Sequence, residues 1–158
     1  MADRPLQVFG KSLPMSLLRT RECVVQQFRQ ALRRHSLNEP QWRVLRVLAE
    51  LPEVTASVLA RETALLSPSL SRMLVSMEAR GLICRKTGTA DQRQTLVSMG
   101  PEGRALFLQA RPEVEAVYAA LSEAFGAERL NRLHAELEAL RQALSAAQAA
   151  GRKRKGPR

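Results

Sequence analysis

Aromatic side chains are scarce: four Phe, one Tyr and one Trp make up 4% of the 158 residues. So few rings disfavour the stacking platforms that hold single-stranded nucleic acid. Cys23 and Cys84 are the only cysteines. Two cannot build a disulfide framework, nor a zinc site, which needs about four ligands. The two histidines, His35 and His134, belong to no metal-spaced pair. There is no P-loop, no dinucleotide fingerprint, no H-E-x-x-H and no G-x-S-x-G. Neither an enzyme nor a cofactor is expected. No apolar run approaches the ~18 residues of a membrane span. The opening MADRPLQVFGKSLP is broken by Gly10, Lys11 and Pro14, so it lacks a signal-peptide core. A single cytoplasmic domain is expected, and no 20–50-residue repeat points to a solenoid.

Apolar residues reach 45%. A chain this long buries roughly 70% of its unfolded surface, so a core can form and a disordered basic protein is excluded. The net charge is +10 and the pI near 11.1, which points to a polyanionic partner. Of the 25 basic residues 21 are Arg, a bias that a GC-rich coding sequence also produces. Position therefore matters more than total. Residues 1–38 hold seven basic and two acidic side chains, and residues 39–100 hold eight and six. Residues 101–150 hold five and seven, and the tail 151–158 five and none. The middle of the chain is nearly neutral.

Hydrophobic spacing predicts a helix from about Pro14 to Arg34, with Leu17, Val24, Phe28 and Leu32 in one stripe. Asn38 caps a second helix with Pro40 in its first turn, and Leu51-Pro52 ends it. Thr55 caps a short third helix to about Leu65. Ser67-Pro68 reads as a capping hydroxyl and a first-turn proline for a fourth, whose inward face is Leu70, Met73, Leu74 and Met77. Gly81 ends it in a left-handed conformation. Residues 82–86 and 94–98 read as the strands of a hairpin around the polar turn 87–91. A helix from Glu102 to about Ala124 follows, with Pro112 kinking or interrupting it. A last helix carries Leu130, Leu133, Leu137, Leu140 and Leu144 at heptad spacing. GRKRKGPR at 151–158 reads as a basic, flexible tail.

Three short helices and a hairpin, in that order, make a winged helix-turn-helix. The outward arc of the fourth helix carries Pro68, Ser71, Arg72 and Val75, flanked by Ser69 and Ser76. Small hydroxyls let a helix enter a major groove, Arg72 offers a fork suited to guanine, and Val75 suits a thymine methyl. Ser67, at the helix start, would help hold a phosphate. On the hairpin, Arg85, Lys86 and Arg93 gather positive charge. Asp91 can splint Arg93 for a narrow minor groove. The plainer alternatives are a serine-rich solvated face and a solvated turn.

From Leu70 to Gly100 these residues resemble the signature segment of MarR-type transcriptional regulators: Met-Glu-Ala-Arg-Gly-Leu-Ile, Arg-Lys, a polar turn, Asp-Gln-Arg, then Gly100-Pro101-Glu102-Gly103. The helix order over roughly 12–149 is similar as well. The segments 34–43 and 67–70 look most like the HpaR branch, regulators of homoprotocatechuate degradation. The resemblance implies a homodimer with residues 12–37 and 101–149 as dimerisation helices and 38–100 as the DNA-reading unit. It implies a pseudo-palindromic duplex operator read by Ser67, Ser69, Ser71, Arg72, Val75 and Ser76, with Arg93 in the wing positioned by Asp91. It also implies repression relieved by a small phenolic or aromatic carboxylate.

A cradle for such an effector is sought on the first two helices. Arg21 falls within the apolar stripe of Leu17, Val24 and Phe28, so it needs a carboxylate, from the protein or from a ligand. His35 either anchors a ligand or caps the helix end. Trp42 either fills the core or stacks on an aromatic effector, and Arg46 has Glu50 at i+4 as an ordinary partner. A thiol trigger would use Cys23, on the polar side of the first helix, whereas Cys84 reads as an inert strand filler. The rivals to a regulator are a nonspecific nucleoid protein and a winged-helix module that binds protein.

Overall fold

The computed structural model describes residues 12–88 and 94–154. Six helices and three strands follow in the order α1 (Leu13–Arg33), α2 (Glu39–Glu50), β1 (Glu53–Thr55), α3 (Ala56–Thr63), α4 (Ser67–Ala79), β2 (Ile83–Thr87), β3 (Thr95–Met99), α5 (Pro101–Phe125) and α6 (Ala127–Arg154). The mainly α, winged helix-turn-helix class expected from the sequence is the one observed.

Side-chain caps explain three of the six helix starts. Ser12 accepts from the Met15 amide and Thr55 from the Val58 amide, each satisfying a first-turn donor. Asn38 goes further. Its side chain accepts from the Gln41 amide at 2.9 Å, and the Gln41 side chain accepts back from the Asn38 amide at 3.0 Å. That reciprocal box fixes the first turn of α2. The start of α4 corrects the sequence reading. Ser67 is the first helical residue, Leu66 occupies the extended cap position, and no side chain caps the helix. Ser67 therefore cannot act as the cap: its own backbone has already turned helical.

The end of α4 is as expected. Gly81 adopts φ +68°, its amide donates to the Glu78 carbonyl, and the Leu82 amide donates to that of Met77. Both orphan carbonyls are thus satisfied by a left-handed turn. The α3 end repeats the pattern with Ala64 at φ +52°, where a Cβ makes that conformation costly.

β1 was not foreseen, because three residues are too short to show a period. It pairs antiparallel with β3, and β3 pairs with β2, so the order is β1-β3-β2. Ile83↔Met99 to Thr87↔Thr95 set the register of the hairpin, and the Gly88 amide donates to the Gln94 carbonyl at 2.8 Å. The turn beyond, with Asp91 and Arg93, lies outside the described residues.

Pro112 does not break α5, which runs from Pro101 to Phe125. The proline removes one donor, and the carbonyl it leaves free belongs to Leu108, an exposed residue. Gly126, at φ +91°, ends the helix instead. α6 continues to Arg154, four residues into the stretch read as a tail; residues 155–158 lie outside the described ones.

The chain divides into two compact units, Met1–Val117 and Tyr118–Arg158. The first holds the core: Leu32, Val44, Leu45, Leu59, Leu70, Met77, Ile83, Val97 and Ala110 are all but inaccessible. In the second, no residue of α6 through Ala150 is buried. Among the described residues no helix is long and apolar enough to cross a membrane, and no cluster of His, Cys, Asp or Glu is spaced to hold a metal ion.

Candidate nucleic-acid interface and effector site

α4 presents one face inward and one outward. Leu70, Leu74 and Met77 are buried, whereas Ser67, Pro68, Ser69, Ser71, Arg72, Val75 and Ser76 are exposed. The exposed side chains form one surface without a carboxylate: one guanidinium, small hydroxyls and two apolar groups. Leu66, 77% exposed, stands at its leading edge and was not singled out from the sequence. Its cap position and its exposure become visible only in the structure, since the sequence offers Ser67 as the cap.

The two cations of β2 both meet carboxylates. Arg85 donates from Nε and Nη2 to Glu78 Oε2, at 2.8 and 2.5 Å. This joins the last turn of α4 to β2, and Arg85 holds the Glu78 carboxyl below its ordinary value. Lys86 Nζ lies 2.6 Å from Glu53 on β1. Both cations are therefore neutralised by struts that hold the wing. Arg80, beside the end of α4, donates to the Ser36 carbonyl at 3.0 Å and ties the helix to the turn before α2.

Three glycines hold the corner between α4, β2 and α5. A Cβ on Gly100 would lie 2.2 Å from the Gly81 carbonyl oxygen, and one on Gly103 2.0 Å from that of Leu82. Only bare backbone permits this approach, which lets the Gly100 amide donate to the Leu82 carbonyl at 3.0 Å.

The four candidate effector residues fall on α1, on α2 and in the turn between them. Trp42 is buried and stacks on Phe107 of α5, with centroids 4.9 Å apart and planes at 17°. Its Nε1 is buried without a hydrogen-bond partner among the described residues. Of the two roles the sequence offers, this is core filling, against a ring of the protein itself. His35 Nε2 lies 3.0 Å from Glu113 Oε1 on α5, and Arg34 is 3.4 Å from the same carboxylate. Arg21 has a protein carboxylate, one of the two partners expected, with Glu39 Oε2 at 3.8 Å; within the single chain, however, its side chain is half exposed, not buried. Arg46 lies 3.9 Å from Glu50 and lines a cleft of about 290 Å³ with Arg43, Val47, Leu51 and Glu62. Trp42 and His35 both lean on α5, while Arg46 faces this separate cleft. Phe107 and Glu113 were missed because they lie more than sixty residues from their partners. Cys23 is exposed as expected, but so is Cys84: on β2 Ile83 points inward and Cys84 outward.

Comparison with known proteins decides what this scaffold is. The MarR family model matches residues 35–94. The chain is 39% identical over 127 residues to the homoprotocatechuate degradative operon repressor of Escherichia coli, an alignment covering 80% of this chain and 86% of that one. The chain belongs to the MarR family. Among solved structures, NadR in complex with 4-hydroxyphenylacetate is 32% identical, with a TM-score of 0.74 over 87% of this chain and 97% of that one. The Mycobacterium tuberculosis regulator MOSR in complex with DNA is 26% identical, with a TM-score of 0.74 over 87% and 98%. This MarR-family chain is a transcriptional regulator whose relatives are regulators rather than enzymes. The alternative of a nonspecific nucleoid protein has no support in these comparisons.

Proposed function

We propose that this MarR-family regulator acts in the cytoplasm as a homodimeric repressor of a pseudo-palindromic operator, released by a small phenolic or aromatic carboxylate. The observation that carries the reading is the surface of α4. A helix whose outward face holds Ser67, Ser69, Ser71, Arg72, Val75 and Ser76, all exposed and with no acid among them, suits the floor of a major groove. Asp91 and Arg93 would serve the adjacent minor groove.

Dimerisation through 12–37 and 101–149, with 38–100 as the reading unit, is supported by apolar side chains left in water. Leu13, Leu17 and Leu18 on α1 and Leu133, Leu137 and Leu144 on α6 are each more than one third exposed. Covering a leucine of this kind contributes up to about 1.5–3 kcal/mol. Two such chains would place their recognition helices about one helical turn of DNA apart.

The effector reading assigns the ring to Trp42 and the carboxylate to Arg21 or His35, leaving out Arg46, which lines the separate cleft. The buried Trp42 Nε1, which lacks an acceptor among the described residues, supports it, as does 4-hydroxyphenylacetate bound to the NadR relative. The test is a titration of the operator nearest its own gene and of random DNA, at physiological salt. Operator preference of roughly 10³-fold or more is expected, with release on adding 4-hydroxyphenylacetate or homoprotocatechuate. Equal affinity for both DNAs would refute the regulator reading. Preference without release, and unchanged melting with every aromatic acid, would refute the effector.

A further inference from the structure

One chain of charged contacts runs from α1 to the turn in front of α4. Arg21 Nη2 on α1 lies 3.8 Å from Glu39 Oε2, in the first turn of α2. The other oxygen of that carboxylate, Oε1, lies 2.9 Å from Arg43 Nε, one turn further along. Arg43 Nη1 then donates to the carbonyl of Thr63, the last residue of α3. Ala64 follows at φ +52°, then Leu65, Leu66 and the recognition helix.

We infer that Glu39 and Arg43 are positioning residues that link Arg21 to the turn presenting the recognition helix. Glu39 is shared between two cations, and its side chain is only 15% exposed, so each cation's hold on it depends on the other. Arg43 is shared in turn between a carboxylate and a carbonyl. Its Nε is buried and makes no aligned hydrogen bond, so the Glu39 contact is a charge contact that can shift without breaking a directed bond. The Thr63 carbonyl sits at the negative end of α3, where a guanidinium is favoured. It precedes an alanine in a conformation costly to any residue bearing a Cβ, so the turn depends on what holds its ends.

The direction of the effect follows. When Arg21 is lost or turned to another anion, Glu39 has Arg43 as its remaining cation. A carboxylate bonds a guanidinium more strongly than a carbonyl does, so Arg43 is drawn from Thr63 toward Glu39. The α3–α4 turn then loosens. When Glu39 is neutral, Arg43 stays on Thr63 and Arg21 no longer matters to the turn. The inference rests on reading α4 as the DNA-reading helix, but the link itself can be measured without DNA or effector.

The experiment is amide hydrogen exchange at Ala64 and Leu65, whose N–H groups donate to the Arg61 and Ala60 carbonyls, in the full-length protein. Arg21→Gln should raise exchange there by about threefold or more, while Arg21→Gln in a Glu39→Gln background should leave it at the Glu39→Gln level. Arg43→Lys, which keeps the charge and loses the fork, should raise it in either background. Melting curves confirm that each variant folds. Unchanged exchange in Arg21→Gln, or an equal rise in both backgrounds, would overturn the link. On operator DNA, Arg21→Gln should weaken binding with an unaltered salt slope. A slope smaller by about one would make Arg21 a phosphate contact and overturn the inference as well. If the wild type shows no operator preference, the reading of α4 fails, and exchange still decides the link.

Discussion

Gly103→Ala tests how tightly the reader is locked to α5. The added Cβ would sit 2.0 Å from the Leu82 carbonyl oxygen and 2.8 Å from its carbon. Carbon and oxygen in contact prefer about 3.3 Å or more, so roughly 1.3 Å of overlap must be relieved. The obstacle is backbone, flanked by Leu82 and Ile83, both buried. Relief therefore means separating α5 from the α4–β2 corner and stretching the Gly100–Leu82 hydrogen bond. Overpacking of this kind costs about 1–3 kcal/mol, and a weakened hydrogen bond about 1 more. A loss of about 3 kcal/mol is expected, which for a chain of this length lowers Tm by roughly 6–12 °C. Thermal unfolding at one fixed protomer concentration measures it, since dimerisation shifts Tm with concentration. Gly126→Ala is the control: its Cβ meets nothing nearer than 3.8 Å, and the cost comes from φ +91° alone, about 1–2 kcal/mol. If Gly103→Ala melts within two or three degrees of wild type (about 1 kcal/mol), the close approach is not the constraint described.

Arg72→Ala should weaken operator binding by about 1–3 kcal/mol, concentrated at particular base pairs. A loss spread evenly over operator variants would make Arg72 a phosphate contact. Removing residues 151–158 should flatten the salt dependence of binding and leave operator preference in place; a lost preference would contradict that division of labour. The Glu78 carboxyl is depressed below 4.5, chiefly by its hydrogen bond from Arg85. A depressed folded value means the pair contributes fully above the ordinary value and is lost as pH falls through the lowered one. Wild type should therefore lose more stability than Glu78→Gln as pH falls from the ordinary carboxylate range through the lowered value. Parallel losses in a pH series of urea unfolding would remove Glu78 from the account.

What could be read from the sequence was local. Asn38, Thr55 and Gly81 announce helix ends because capping is decided within four residues. The inward stripe Leu70, Leu74 and Met77 announces a buried face because the helical period is short. Ser67 misled, since a hydroxyl before a proline fits a cap one residue earlier as well as a first turn. Pairs across the fold stayed hidden. Phe107 beneath Trp42 and Glu113 beside His35 depend on where α5 passes. The pairing of Arg85 with Glu78 and of Lys86 with Glu53 gave both cations of β2 acidic partners that no local pattern announces. Arg21 shows the same limit: its helical position gave the stripe but not the carboxylate it meets. Charge was likewise a poor guide, for the surface proposed to read DNA lies in the nearly neutral stretch 39–100.

The central claim is that α4 of each protomer reads a specific duplex in the major groove. Methylation interference at guanine N7 on the bound operator tests it most directly. Two interfering guanine positions are expected, related by a twofold axis and about one helical turn apart, each lost in Arg72→Ala. Interference spread uniformly along the DNA, or symmetric positions indifferent to Arg72, would contradict it.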